Sequence, residues 1–193
     1  MQVATFNLIY GLLTIAANLF VVVIVVLWLV SRRSPDGGPL GRVRGIIGPA
    51  ALWYAWIVAV VTTTGSLYYS EIAHYLPCPL CWYQRIAIYP MSVVLLVAAI
   101  RRDPGVRWFA IPPLLIGAAI SVYHYQLEWF PHQGELFCKI DNPCTTIWVR
   151  QFGYISLPFM ALSSALLMIT LMLLAKRRSD DRADEPDLEA GAA

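Results

Sequence analysis

The chain has 193 residues, of which 59% are hydrophobic and 13% charged, whereas a soluble domain carries about 25% charged residues. So little charge cannot cover a water-exposed surface, which implies a lipid-facing one. The net charge is only +2, and the basic residues sit in short clusters between apolar runs, which excludes a nucleic-acid footprint.

Five apolar runs are long enough to cross a hydrocarbon core, which takes roughly 20 helical residues. They cover residues 8–30, 46–69, 82–100, 108–127 and 152–175. The first has the look of a signal peptide, but residues 1–31 contain no Lys or Arg and the run exceeds a usual h-region, so a retained helix is expected. Residues 31–45 read as a polar, Gly/Pro-rich loop. Residues 101–107 form a short basic turn around Asp103-Pro104-Gly105. The longest connection, 128–151, includes a candidate surface helix over 145–151. From Lys176 onward the chain is charged and rich in small residues, as in disordered tails. The expected division is an N-terminal helix and loop (1–45), a helical bundle (46–175) and a tail (176–193).

Lys and Arg collect on cytoplasmic flanks. Arg32, Arg33, Arg42 and Arg44 follow the first run, Arg101, Arg102 and Arg107 follow the third, and Lys176, Arg177, Arg178 and Arg182 follow the fifth. All of these fall on one side, leaving only Arg85, Lys139 and Arg150 elsewhere. The N-terminus is therefore expected outside and the C-terminus inside. The four cysteines, Cys78, Cys81, Cys138 and Cys144, fall in the two outer loops. Removing the first run leaves that placement unchanged. Disulfides form and persist on the extracytoplasmic side.

Cys78 and Cys81 have C-x-x-C spacing, which suits a redox-active disulfide, and prolines 77 and 79 make the approach rigid. A helix is expected to begin near Cys81, where the positive end of the macrodipole favours a thiolate. Arg85 lies one turn further on the same face, able to stabilise that sulfur or a cofactor oxygen. At the bilayer centre an arginine costs roughly 2.5–3.5 kcal/mol, so snorkelling to the interface is the competing reading. Cys138 and Cys144 enclose Asn142-Pro143, a turn signal that allows a bridge. That pair reads as an exchanging disulfide or as a structural staple. A four-cysteine zinc site is disfavoured by an oxidising compartment, so no metal is expected. Trp129, Phe130 and Trp148 suit the membrane interface. Glu71, His74 and His124 are expected at the depth of Cys81. His124 is either a partner of a small redox molecule or a wet interfacial ring, His74 is interfacial, and Glu128 faces water.

Cys78-Pro79-Leu80-Cys81-Trp82-Tyr83-Gln84-Arg85, followed by Tyr89-Pro90, resembles the signature of the DsbB/BdbC family of disulfide bond formation membrane proteins. Ser121-Val122-Tyr123-His124-Tyr125 resembles that family's Tyr-His segment, and the Cys138–Cys144 spacing with Phe152-Gly153-Tyr154-Ile155-Ser156-Leu157-Pro158 resembles its shorter-loop BdbC branch. The resemblance covers about 46–174. It implies an all-α, polytopic four-helix bundle, here with one additional N-terminal transmembrane helix. It also implies oxidation of a DsbA/BdbD-like thioredoxin-fold thiol oxidase, with electrons passed to a quinone (ubiquinone or menaquinone). By motif, Cys78 and Cys81 form the quinone-linked disulfide, with Cys81 nearest the quinone and Arg85 and His124 in its site. Cys138 and Cys144 form the partner-facing disulfide; Cys138 takes the mixed disulfide and Cys144 exchanges with Cys78. Trp82, Tyr83 and Tyr89 are candidates for lining the quinone site or facing lipid. Three rivals remain: a non-enzymatic protein with stapled outer loops, an inward thiol-reducing conduit, and an enzyme resembling vitamin K epoxide reductase. The cytoplasmic loops lack cysteines, which disfavours the second. The third usually carries its C-x-x-C late in the chain.

Overall fold

The computed structural model describes residues 2–32, 38–131, 138 and 143–176. The charged tail beyond Lys176 lies outside the described residues. The fold is all-helical: α1 (Gln2–Ser31), α2 (Gly38–Ile47), α3 (Ala51–Leu67), α4 (Pro79–Ile88), α5 (Met91–Arg101), α6 (Arg107–Trp129) and α7 (Leu157–Leu174). Short 3-10 turns at Gly48–Ala50 and Pro104–Val106 lead into α3 and α6, and a π turn at Tyr68–Ile72 ends α3. Five segments are long and apolar enough to span a bilayer: Val3–Ser31, Gly38–Ile72, Pro79–Arg101, Pro104–Trp129 and Leu157–Leu174.

Local chemistry sets the boundaries. Cys78 caps α4 and Pro79 occupies its first turn, where a missing N–H is harmless. Tyr89-Pro90 divides the third span into α4 and α5, since proline cannot donate within a helix. Arg102 ends α5 in the left-handed conformation at φ 50°, and the Asp103 carboxylate accepts from the Gly105 N–H at 2.8 Å to form the turn into α6.

Three expectations from sequence are corrected. Part of the 31–45 loop is helical, because Pro39 is tolerated in a first turn and α2 runs through the 3-10 turn into α3. Residues 145–151 form no helix, in keeping with the β-branched Thr145, Thr146, Ile147 and Val149. The fifth span begins at Leu157 rather than at 152. Gln151 and Ile155 exchange backbone hydrogen bonds at 2.8 and 2.9 Å across a tight turn, in which Gly153 takes φ 82°. That pair is the sole β-bridge among the described residues.

The main core lies among α3, α5, α6 and α7. It alternates small residues with large ones: Ala55 and Ala59 of α3 and Ala165 of α7 face Leu95, Leu114, Met168 and Met172. In lipid, apolar side chains gain little by leaving the solvent, so association rests on close packing, which small residues permit. The same logic holds α4 on α6, where a Cβ on Gly117 would lie 2.7 Å from that of Ala87. A second cluster, at the end of the bundle where α4 begins, contains Cys78, Leu80, Leu127 and Cys144. Helix α1 stands outside the four-helix core against α7 and the C-terminal half of α3. Its polar contacts are Asn18 Nδ2 to Ser163 Oγ at 2.8 Å, Tyr10 Oη to the Val61 carbonyl at 3.0 Å, and Tyr69 Oη to Asn7 Oδ1 at 3.0 Å.

Packing of this kind makes side-chain volume decisive inside and irrelevant outside. Leu114→Ala, at a fully buried position, should destabilise the protein by about 2–5 kcal/mol. Ile116→Ala, two residues away and 62% exposed, should not. Thermal unfolding of the detergent-solubilised variants checks the contrast.

Candidate functional site

The four cysteines, His124 and Arg85 converge at one end of the bundle. Cys138 and Cys144 form a disulfide with a Cα separation of 5.9 Å. Cys78 and Cys81 are free thiols, with their Sγ atoms 2.9 Å apart. Because α4 starts at Pro79, two residues earlier than expected, the residue at its mouth is Cys78. Its sulfur accepts from the Cys81 N–H at 3.3 Å. The Cys81 thiol hydrogen-bonded to it, with His124 adding to the effect against the opposing influence of burial, holds the Cys78 thiol well below the ordinary thiol range.

His124 is buried, 3% exposed, so it is not a wet interfacial ring. Its Nε2 lies 3.1 Å from the Cys144 carbonyl oxygen and 3.7 Å from Cys78 Sγ. On its other side the Gln84 amide nitrogen is 3.5 Å from Nδ1. An amide nitrogen only donates, so Nδ1 accepts and Nε2 carries the proton toward the carbonyl and the sulfur. His124 therefore bridges α4, α6 and the loop of the second cysteine pair. The donor atoms of Cys78, Cys81 and His124 lie within 4.8 Å of one another, a set that could hold a soft divalent ion. In the observed arrangement, however, the imidazole presents an N–H rather than a lone pair.

Two spaces meet at the C-x-x-C. One is a small crevice lined by Cys78, Cys81, His124, Glu128 and Cys144. The other is an apolar cavity of about 680 Å³ between α1, α3, α4 and α7, lined by Cys81, Arg85, Ser66, Tyr89, Tyr10 and Thr14 among others. Cys81 borders both, whereas Cys78 borders only the crevice. The Arg85 guanidinium does not snorkel. Its Nε donates to Ser66 Oγ and its Nη2 to the Ser66 carbonyl, both at 3.1 Å, and Tyr89 Oη donates to the same Ser66 Oγ at 3.0 Å. Gly65 lets α1 close the cavity, since a Cβ there would overlap the Tyr10 ring. A stack of Tyr69, Tyr75 and Trp148, with ring centroids 5.8 and 4.9 Å apart, lines its end nearest Cys81.

The structure separates the remaining expectations. Tyr89 lines the cavity, while Trp82 and Tyr83 are exposed on the outside of the bundle. Glu71 and His74 are exposed and border neither space. Glu128 does not face water: it is 7% exposed, covered by the returning chain at Leu157 and Pro158. Sequence reasoning attached no role to Ser66, Gln84 or α1. A glutamine three residues beyond the C-x-x-C and a serine in an apolar run were the available signals.

If the hydrogen bonds to its sulfur stabilise the Cys78 thiolate, alkylation of the reduced pair should show a pH inflection well below the ordinary thiol value of about 8.5. His124→Leu removes a donor to that thiolate and should move the inflection upward. Iodoacetamide labelling followed by mass spectrometry checks both.

The family model described as "Disulfide bond formation protein DsbB" matches residues 49–175. Disulfide bond formation protein C of Bacillus subtilis (strain 168) is 40% identical over 126 residues, covering 65% of this chain and 91% of the relative. A probable disulfide formation protein of Oceanobacillus iheyensis is 41% identical over 133 residues, covering 66% and 90%. One of Coxiella burnetii (strain RSA 493 / Nine Mile phase I) is 38% identical over 134 residues, covering 68% and 91%. No solved structure matches the chain.

Proposed function

Since the chain belongs to the DsbB family of disulfide bond formation proteins, we propose that it is a protein-dithiol:quinone oxidoreductase that reoxidises an extracytoplasmic thioredoxin-fold thiol oxidase. Membership of the family implies a thiol oxidoreductase in oxidative protein folding, and the chain is a multi-pass membrane protein with five candidate spans. The observation that carries the finer reading is the position of Cys81, on the border between the crevice beside Cys144 and the large apolar cavity. The Lys/Arg distribution supports an outer location for both cysteine pairs.

In this reading a partner thiolate attacks the Cys138–Cys144 disulfide at Cys138 and Cys144 leaves as the thiolate. A second partner thiolate then releases Cys138, and the partner departs oxidised. Cys144 next attacks Cys78, forming a Cys144–Cys78 bond and expelling Cys81 as a thiolate. Cys138 closes on Cys144 and frees Cys78. The hydrogen bonds to Cys78 from Cys81 and His124 make it a good leaving sulfur in that last step. A bound quinone would take up two electrons and two protons as the Cys78–Cys81 dithiol returns to the disulfide.

The cavity fits such a ring and its tail. It is apolar and bounded by spanning helices, and one cation, Arg85, is held at its wall beside Cys81 by Ser66 and Tyr89. Arg85 would orient a carbonyl oxygen, and Tyr10 and Thr14 would make α1 a wall of the site. A ubiquinone and a menaquinone both meet these requirements.

Anaerobic stopped-flow of the purified protein, with a reduced thioredoxin-fold thiol and a short-chain ubiquinone or menaquinone, tests the proposal. Cys81→Ala should abolish quinone reduction while Cys138 still traps the thiol partner. Arg85→Ala should raise the apparent quinone KM by about tenfold or more, given about 1.5–3 kcal/mol for a hydrogen bond to a charged group, and leave thiol exchange unchanged. Absence of quinone-dependent thiol oxidation in the unsubstituted protein would reject the reading in favour of stapled outer loops.

A further inference from the structure

Glu128 lies one helical turn beyond His124 on the same face of α6, and its side chain is 93% buried, being 7% exposed. Its Oε2 is fully buried and has no hydrogen-bond partner. A carboxylate in that position is expensive to maintain, and a buried polar atom without a partner calls for an explanation. The side chain lines the crevice that contains Cys78, Cys81, His124 and Cys144. That crevice measures about 10 Å³, close to the room that one water needs.

Thiol exchange at this place requires a proton carrier. Transfer of a disulfide from Cys78–Cys81 to Cys138–Cys144 moves two protons the other way, from the outer thiols to the inner ones. The imidazole is poorly placed to accept one, because Nε2 already carries a proton toward the Cys144 carbonyl and Nδ1 receives the Gln84 amide. Among the residues lining the crevice, Glu128 is the remaining base that is not itself an exchanging sulfur.

We propose that Glu128 is the proton carrier for exchange between the two cysteine pairs, an assignment that rests on the thiol relay proposed above. Its carboxylate takes the proton from the Cys144 thiol as the Cys144–Cys78 bond forms and the Cys78–Cys81 bond breaks. It then returns that proton to the expelled Cys81 thiolate. The second proton passes from the Cys138 thiol to Cys78 in the closing step, so no outside oxidant or acid is consumed. The groups facing Glu128 are His124 on its own helix, Cys78 at the mouth of α4, and Ser156 and Arg150 on the chain leading to α7.

The test uses the full-length protein in detergent with both pairs oxidised. Dithiothreitol reduces the Cys138–Cys144 disulfide at the partly exposed Cys138, and acid quench, alkylation and mass mapping follow the arrival of thiols at Cys78 and Cys81. In the unsubstituted protein, transfer between the pairs should slow as the pH falls and Glu128 becomes protonated. Glu128→Gln should slow transfer at neutral pH at least tenfold and abolish that acid limb, with reduction of the outer pair unchanged. Formate should restore part of the rate to Glu128→Ala, and Glu128→Asp should retain the acid limb. Transfer in Glu128→Gln at the original rate and pH profile would overturn the assignment while leaving the relay intact. So would a slow Glu128→Ala that formate does not rescue, since a merely structural role gives that result. Absence of any transfer between the pairs in the unsubstituted protein would overturn the relay and this assignment with it.

Discussion

An imidazole enclosed by helices has two ring nitrogens to satisfy, and His124 satisfies them on two different elements. Gln84 of α4 meets Nδ1, and the Cys144 carbonyl of the long connection between α6 and α7 meets Nε2. Because α6 supplies the ring, this one side chain ties together the three pieces of chain that carry or approach the cysteines. The tie also settles the tautomer, and with it where an N–H rather than a lone pair points. Close packing of Gly117 against Ala87 brings α4 near enough to α6 for these contacts to form. The position of Cys78 Sγ, 3.7 Å from Nε2, follows from the same approach.

From that junction the surroundings divide. On one side is a crevice that holds the sulfurs, His124 and Glu128 beside the connection between α6 and α7; on the other is a cavity among apolar helices. Cys81 touches both because it lies in the first turn of α4, where the helix enters the bundle. Arg85, one turn deeper, is kept within the cavity wall by Ser66 rather than drawn to the surface. A half-buried guanidinium is tolerable here because a hydroxyl and a carbonyl accept hydrogen bonds from its N–H groups. The additional helix α1 is more than an anchor in this arrangement: Tyr10, Thr14 and Phe20 supply a wall that the four-helix core lacks.

Much of this was legible without coordinates, for particular reasons. The spans were readable because lipid demands long apolar helices whose backbone is satisfied internally. The mouth of α4 was readable because Pro-Cys-Pro-x-Cys cannot continue a helix but can start one. The family resemblance over 46–174 and the matched region 49–175 nearly coincide. What was misread depends on how the chain folds back. Glu128, at the end of an apolar run, looked like a water-facing residue, but it lies in the crevice closed by Leu157 and Pro158 at the start of α7. Residues 145–151 looked helical by position, but the Gln151–Ile155 pairing and Gly153 turn the chain sharply instead.

The end of the bundle with the two cysteine pairs illustrates the division. Spacing, proline placement and the Lys/Arg distribution act locally or through the membrane as a uniform solvent, so the sequence by itself determined the helical class, the five spans, the two cysteine pairs and their common side. Contacts between residues 40 or more positions apart depend on which helix faces which, and no periodicity encodes that. Only the tertiary structure decided that His124 reaches Cys78, that α1 walls the cavity, and that Glu128 is enclosed beside the sulfurs.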